Sequence, residues 1–152
     1  MYLLVILLSY IIGSIPNGLV IGKLMGGIDL RQYGSKNIGA TNAFRVLGPL
    51  PALLVFLTDA AKGVVGVFLG QQLTGTPVAL LVGGIAAISG HNWSLFLGLK
   101  GGRGVATGLG VIAFLTPGVT VIVFTVWAII VYFTRYVSLG SVIAAALVPI
   151  LM

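Results

Sequence analysis

The chain has 152 residues and a mass of 15.7 kDa, with 59% of its residues hydrophobic, 7% charged and a mean hydropathy of +1.20. A water-soluble domain carries about 25% charged residues to cover its core, so this composition excludes a soluble enzyme, a disordered chain and a collagen-like chain and leaves an integral membrane protein. Eight Lys and Arg stand against Asp29 and Asp59, giving a net charge of +6. These cations interrupt apolar runs instead of forming a solvated stripe. That favours anionic ligands or lipid headgroups over nucleic acid as partners. The absence of Cys excludes disulfides, zinc thiolates and a thiol nucleophile, and one His with two Asp is too small a set for most metal sites.

The spans follow from apolar runs measured against the roughly 20 residues that cross about 30 Å of hydrocarbon. Residues 2–22 form the first; no basic segment precedes them, so they read as a retained span and not a cleaved signal. Residues 23–48 break the pattern with Lys23, Asp29, Arg31, Lys36 and Arg45 among Gly, Asn and Ser. Residues 49–69 form the second span. Gln71, Gln72 and Thr74–Pro77 form a neutral connection, and residues 78–90 begin a third span that ends before Lys100. The stretch 105–133 is uncharged and too long for one helix. Thr116-Pro117-Gly118 reads as a turn that splits it into a short fourth span, 105–115, and a fifth, 119–134. Arg135 opens the next connection and 137–152 a sixth span, expected to be an incomplete helix of a longer chain.

Parity supports this division. If the connection 23–48 is cytoplasmic, then Lys100, Arg103 and Arg135 fall on the same side, as the positive-inside rule requires. The N-terminus is then external. The expected fold is all-α, a polytopic membrane helix bundle with about six spans, short broken helices and polar cytoplasmic loops. Residues 1–152 form a single domain, taken to be C-terminally incomplete. Small-xxx-small pairs such as Gly22/Gly26, Gly66/Gly70 and Gly104/Gly108 suit close helix approach.

Two polar islands on the inner side can carry chemistry. The first is Gly34-Ser35-Lys36-Asn37-Ile38-Gly39-Ala40-Thr41-Asn42-Ala43-Phe44-Arg45; it has two cations, two hydroxyls and two amides but no carboxylate. The second is Gly90-His91-Asn92-Trp93-Ser94 followed by Lys100-Gly101-Gly102-Arg103-Gly104-Val105-Ala106-Thr107. Glycines let backbone N–H groups converge on an anion, and the helix start after Gly104 adds its dipole. Arg45 and Arg103 can fork phosphate oxygens, with Lys36 and Lys100 as point charges. The plainer reading makes these cations topology signals facing headgroups. No P-loop is present, and Gly102-x-Gly104-x-x-Thr107 lacks the third glycine of a dinucleotide fingerprint. Phe96 stands five residues after His91, so no H-x-x-x-x-D pair exists. His91 can orient a polar substrate, move a proton or merely bond a helix-end carbonyl. Asp59 and Lys62 share one helix face and, if paired, can turn inward. Ser138 and Ser141 stand at the start of the sixth span, where Ser138 is expected to cap the helix.

Taken in order, Gly13-Ser14-Ile15-Pro16-Asn17-Gly18, the run Gly34–Arg45 into Val46-Leu47-Gly48, Asp59-x-x-Lys62-Gly63, and Gly90-His91 through Thr107 resemble the bacterial acyl-phosphate:glycerol-3-phosphate acyltransferases over nearly the whole chain. Ser138-Leu139-Gly140-Ser141 is similar to that family's serine-bearing loop. The resemblance implies a seven-helix inner-membrane enzyme, multi-pass, with its active site facing the cytoplasm. It would acylate the 1-hydroxyl of glycerol 3-phosphate from a long-chain acyl phosphate, giving lysophosphatidate and phosphate. It implies no cofactor and no metal. Ser35, Asn37, Thr41, Asn42 and Arg45 would line the acyl-phosphate site, and Lys100 with Gly101, Gly102, Arg103 and Gly104 would hold phosphate. His91, Ser138 and Ser141 would lie near the glycerol phosphate, with Gly39 and Thr107 also among the substrate-binding residues. Ser35, Arg45, His91 and Lys100 are the expected catalytic set. The family's last polar motif, with Asn and His before a seventh helix, has no counterpart before Met152.

With no Cys and no legible Ser-His-Asp set, direct transfer without an acyl-enzyme is the expected route; either His91 or a substrate phosphate oxygen takes the proton. The competing readings are a transporter or channel for a phosphorylated metabolite, which Asp59/Lys62 and broken helices would suit, and a scaffold whose basic loops bind anionic lipid.

Overall fold

A computed structural model describes all 152 residues and is helical throughout, in two compact units, Met1–Val111 and Ile112–Met152. In chain order the helices are α1 (Tyr2–Ser14), α2 (Asn17–Gly26), α3 (Ala40–Leu47), α4 (Pro49–Leu73), α5 (Pro77–Asn92), α6 (Val105–Leu115), α7 (Pro117–Thr134) and α8 (Val137–Leu151). Four stretches are long and apolar enough to cross a membrane: Tyr2–Gly26, Pro49–Leu73, Pro77–Leu97 and Pro117–Thr134. Val105–Leu115 and Val137–Leu151 are shorter apolar helices. The expected division into apolar helical segments holds, including the split at Thr116 with Pro117 as the first residue of α7, and four of the six expected spans have the length to cross.

Two features differ from that expectation. The first span is not one helix but two, interrupted at Ile15–Pro16, where Ile15 is extended (φ −58°, ψ 121°). Proline has no N–H and pushes the residue before it out of the helical region. A break at membrane depth persists only where the freed carbonyls find partners inside the protein. Here Ser94 Oγ donates to the Ser14 carbonyl (2.5 Å) and Lys62 Nζ to the Ile15 carbonyl. Second, the polar connection 23–48 contains α3, which is amphipathic and buries Asn42 and Ala43 while exposing Thr41, Phe44 and Arg45. Leu30, Ala43, Ala52 and Val55 form a small core beneath it, with Ile21, Ile28, Val46 and Leu47 packed around.

Within Met1–Val111, backbones approach to glycine distance. Cβ atoms at Gly66 and Gly83 would meet the facing carbonyls of Gly83 and Gly66, joining α4 to α5. Gly13 and Gly90 bring α1 against α5 in the same way, and Gly63 and Gly110 bring α4 against α6. Such stripes supply the contact that lipid, as apolar as Leu, cannot drive. Gly26 is used differently from the pairing expected of Gly22/Gly26: its neighbour is Leu47 of α3.

Within Ile112–Met152, α7 and α8 pack on each other across a link at Arg135, which takes a left-handed conformation (φ 63°). Gly140 sits against Trp127 and Val131.

Candidate functional site

The first island is organised by one side chain. Asn42, 1% exposed, accepts from the Ser35 amide through Oδ1 (2.8 Å). Its Nδ2 lies within donating distance of the carbonyls of Leu30 (3.1 Å), Tyr33 (3.1 Å) and Asn37 (2.8 Å). Asn37 Oδ1 in turn accepts from the Gly39 amide (2.8 Å). Gly34 and Lys36 carry positive φ (56° and 59°), which wraps the turn around Asn42. The expected substrate residues of this island therefore divide. Asn42 is spent on the loop's own backbone, and Asn37 Oδ1 on Gly39. Ser35, Lys36, Thr41 and Arg45 are exposed, and Thr41 and Arg45 stand four residues apart on the open face of α3.

Ahead of this turn, Asp29 accepts from Arg31 Nη2 (2.6 Å) and from the Arg31 amide. That hydrogen bonding holds the Asp29 carboxyl down at about 2, so it stays ionised and paired.

The second island hangs on the last turn of α5. The Gly101 amide donates to the Asn92 carbonyl (3.0 Å) and the Gly102 amide to the His91 carbonyl (3.0 Å). Cβ atoms would collide with the His91 carbonyl at Gly101 and with the His91 ring nitrogen Nε2 at Gly102. At Gly104, where φ is 72°, one would come within 2.6 Å of Asn92 Oδ1. These glycines are thus demanded by the approach to α5, and the Gly101 and Gly102 amides are already taken. Lys100 and Arg103 are exposed, whereas Thr107 is fully buried in the first turn of α6.

The two islands are fastened to the same place. Gly18, just past the α1–α2 break, packs on the Ile38 carbonyl of the first island. Just before the break, the Ser14 carbonyl takes the Ser94 hydroxyl, and Tyr10 donates to the Trp93 carbonyl (2.5 Å) of the second. Between them lies a buried polar cluster. Asp59 Oδ1 accepts from Lys62 Nζ (2.8 Å) and Asn17 Nδ2 (3.3 Å) and stands 3.6 Å from His91 Nδ1. Asp59, Lys62 and His91 are each under 5% exposed. The shared helix face of Asp59 and Lys62 pointed to this pair; its closeness to Asn17 and His91 had no signal in spacing.

Ser138 does not cap α8: it lies inside the first turn, exposed, behind an N-terminus with no side-chain cap. Ser141 Oγ donates to the Val137 carbonyl (2.9 Å) and accepts from Trp127 Nε1 (3.3 Å). No group of three or more His, Cys, Asp or Glu is placed to hold a metal ion.

The glycerol-3-phosphate acyltransferase family model matches residues 3–152. Glycerol-3-phosphate acyltransferase 2 of Moorella thermoacetica is 47% identical over 152 residues, covering 100% of this chain and 78% of the relative. The glycerol-3-phosphate acyltransferase of Desulforudis audaxviator is 48% identical over 148 residues, 97% of this chain and 74% of its own. Among solved structures, the glycerol 3-phosphate form of PlsY (YgiH), an integral membrane glycerol 3-phosphate acyltransferase, superposes with a TM-score of 0.88 at 42% identity, covering 94% of this chain and 72% of that one. Its lysophosphatidic acid form gives 0.86 at 41% identity, covering 94% and 71%. With two cationic loops fastened to one broken helix in an apolar bundle, and with these matches along its length, the chain belongs to the integral membrane glycerol-3-phosphate acyltransferase family.

Proposed function

We propose that this membrane glycerol-3-phosphate acyltransferase takes its acyl group from a long-chain acyl phosphate. The acyl group goes to the 1-hydroxyl of glycerol 3-phosphate without an acyl-enzyme, giving lysophosphatidate and inorganic phosphate. The observation that carries the reading is the distribution of charge. Both carboxylates are already neutralised, Asp29 by Arg31 and Asp59 by Lys62. Lys36, Arg45, Lys100 and Arg103 are left exposed on the two anchored islands.

Donor and acceptor are both anions and repel each other. The hydroxyl oxygen attacks the acyl carbonyl carbon, the bond from that carbon to the phosphate oxygen breaks, and phosphate leaves with the charge. Cations held on a preorganised scaffold lower the repulsion and stabilise the leaving group, at roughly 2.7–4 kcal/mol per well-placed donor. Orienting hydroxyl against carbonyl contributes up to about 7–11 kcal/mol. In this reading Arg45 and Lys100 bind the phosphates and Ser35 and Thr41 donate hydrogen bonds beside them. The hydroxyl proton passes to a phosphate oxygen of the donor, since His91 is buried against Gly102 and Asp59. The acyl tail lies in lipid between helices.

Positive-inside parity supports an external N-terminus and a cytoplasmic site in the bacterial inner membrane. The family match over residues 3–152 supports reading the chain as one acyltransferase domain. The deciding experiment supplies purified protein with acyl phosphate and glycerol 3-phosphate; phosphate release that requires both is expected. Release without the acceptor makes the protein a hydrolase, and uptake into vesicles without release makes it a transporter.

A further inference from the structure

Asp59, Lys62 and His91 are nearly closed off from solvent, yet burying charge in a membrane span is expensive. Helix packing alone does not call for it, because glycine stripes already bring α4 against α5 at Gly66 and Gly83. Its geometry has a direction instead. Asp59 Oδ1 gathers Lys62 from its own helix and Asn17 from α2, and faces His91 Nδ1 at 3.6 Å. Lys62 also holds the Ile15 carbonyl at the helix break. On the other edge of the imidazole, Nε2 fills the space under Gly102, with Cδ2 and Cε1 each 3.0 Å from where a Cβ would sit. Gly102 lies two residues after Lys100 and directly before Arg103.

We propose that Asp59, Lys62 and His91 act as positioning residues. The Asp59 carboxylate, 3.6 Å from Nδ1 and without a hydrogen bond to it, orients the imidazole through its charge, and the imidazole, wedged beneath Gly102, sets the placement of the loop that presents Lys100 and Arg103 to anionic substrate. His91 then works through the glycine loop and takes no proton. This inference rests on the acyl-transfer reading above, and names what aligns that site from within the bundle.

The test separates alignment from stability. Asp59→Asn alone leaves Lys62 buried without its counter-ion and is expected to destabilise the protein. The neutral pair Asp59→Asn/Lys62→Met removes both charges but also frees the Ile15 carbonyl, so it is expected to melt below the parent by the cost of one lost hydrogen bond and to stay folded in detergent. Its KM for glycerol 3-phosphate should nevertheless rise about tenfold, because the loop loses its support. A pair that only joins helices gives a stable double variant with parental KM, and that result overturns the proposal. If the double variant does not fold, Gly102→Ala decides: it leaves the charges in place and adds one methyl against the imidazole. The same KM rise supports the proposal and an unchanged KM overturns it. With His91→Gln, the pH dependence of kcat should keep its shape; loss of its acidic limb makes His91 the base and overturns the inference. A parent protein that releases no phosphate with both substrates present fails earlier and sinks the acyl-transfer reading itself.

Discussion

The two cationic loops of Met1–Val111 present similar groups but are held in opposite ways. Residues 23–48 carry their own polar hub: Asn42 satisfies the loop's own backbone, while Leu30 and Ala43 join Ala52 and Val55 of α4 in a small core that supports α3. Lys100–Gly104 has no such interior. It borrows carbonyls and a ring from the end of α5 and needs glycines to approach them. A loop with its own hub tolerates substitution on its outer face and fails at one buried residue. A borrowed loop fails wherever a side chain separates it from its support.

The largest expected effects are on the chemistry common to both. Arg45→Ala and Lys100→Ala each remove an exposed cation, so melting should stay at the parent value while kcat/KM falls about 10²–10³-fold, roughly 2.7–4 kcal/mol. Parental kcat/KM in either variant removes that loop from the site. Arg45→Lys should recover only part of the loss, because an ammonium cannot fork two oxygens.

Gly101→Ala tests the borrowed support. The new methyl would meet the His91 backbone carbonyl, which cannot swing aside as a side chain can. Activity should fall at least about tenfold, an effect of 1–3 kcal/mol as for other overpacked sites, with proteolytic sensitivity rising at residues 98–104 and not at 33–40. Cleavage appearing in both loops would show that the two are supported alike. Asn42→Ala tests the hub. It leaves the Ser35 amide and the carbonyls served by the two Nδ2 hydrogens without a partner, at about 1–3 kcal/mol for each group that water cannot reach. The proteolytic pattern should be the reverse, opening 33–40 first.

The smallest effect belongs to Arg31→Ala. Its bridge to Asp29 is partly exposed, so the loss should stay below about 1 kcal/mol. The sign with pH follows from the lowered Asp29 carboxyl. The bridge's contribution is present above the ordinary value of 3.8 and is lost as pH falls toward about 2. Parent and variant should therefore differ in melting at neutral pH and converge near pH 2.

Several parts of this molecule were legible one residue at a time. The apolar runs separated the spans because hydrocarbon thickness sets a length that composition alone reveals, and Thr116-Pro117 could only be a break. The two islands stood out because cations, amides and glycines are scarce elsewhere in the chain. Asp59 and Lys62 could be assigned one face because helical spacing is local. Local rules failed where the deciding partner was remote. α3 hid in a polar connection because its apolar side is short and is completed by Leu30, Ala52 and Val55. The α1–α2 break looked like continuous apolar sequence because its stability comes from Ser94 and Lys62, far along the chain.

Composition, run length and helical period thus determined by themselves that this is a multi-span helical protein with cationic islands between its spans, since each of those is a property of neighbouring residues. Which amides remain available, why Gly101 and Gly102 must lack side chains, and what His91 touches were decided only by tertiary structure. Those answers depend on backbones brought together from distant segments, and in a bundle packed at glycine distance a single methyl decides whether the segments meet.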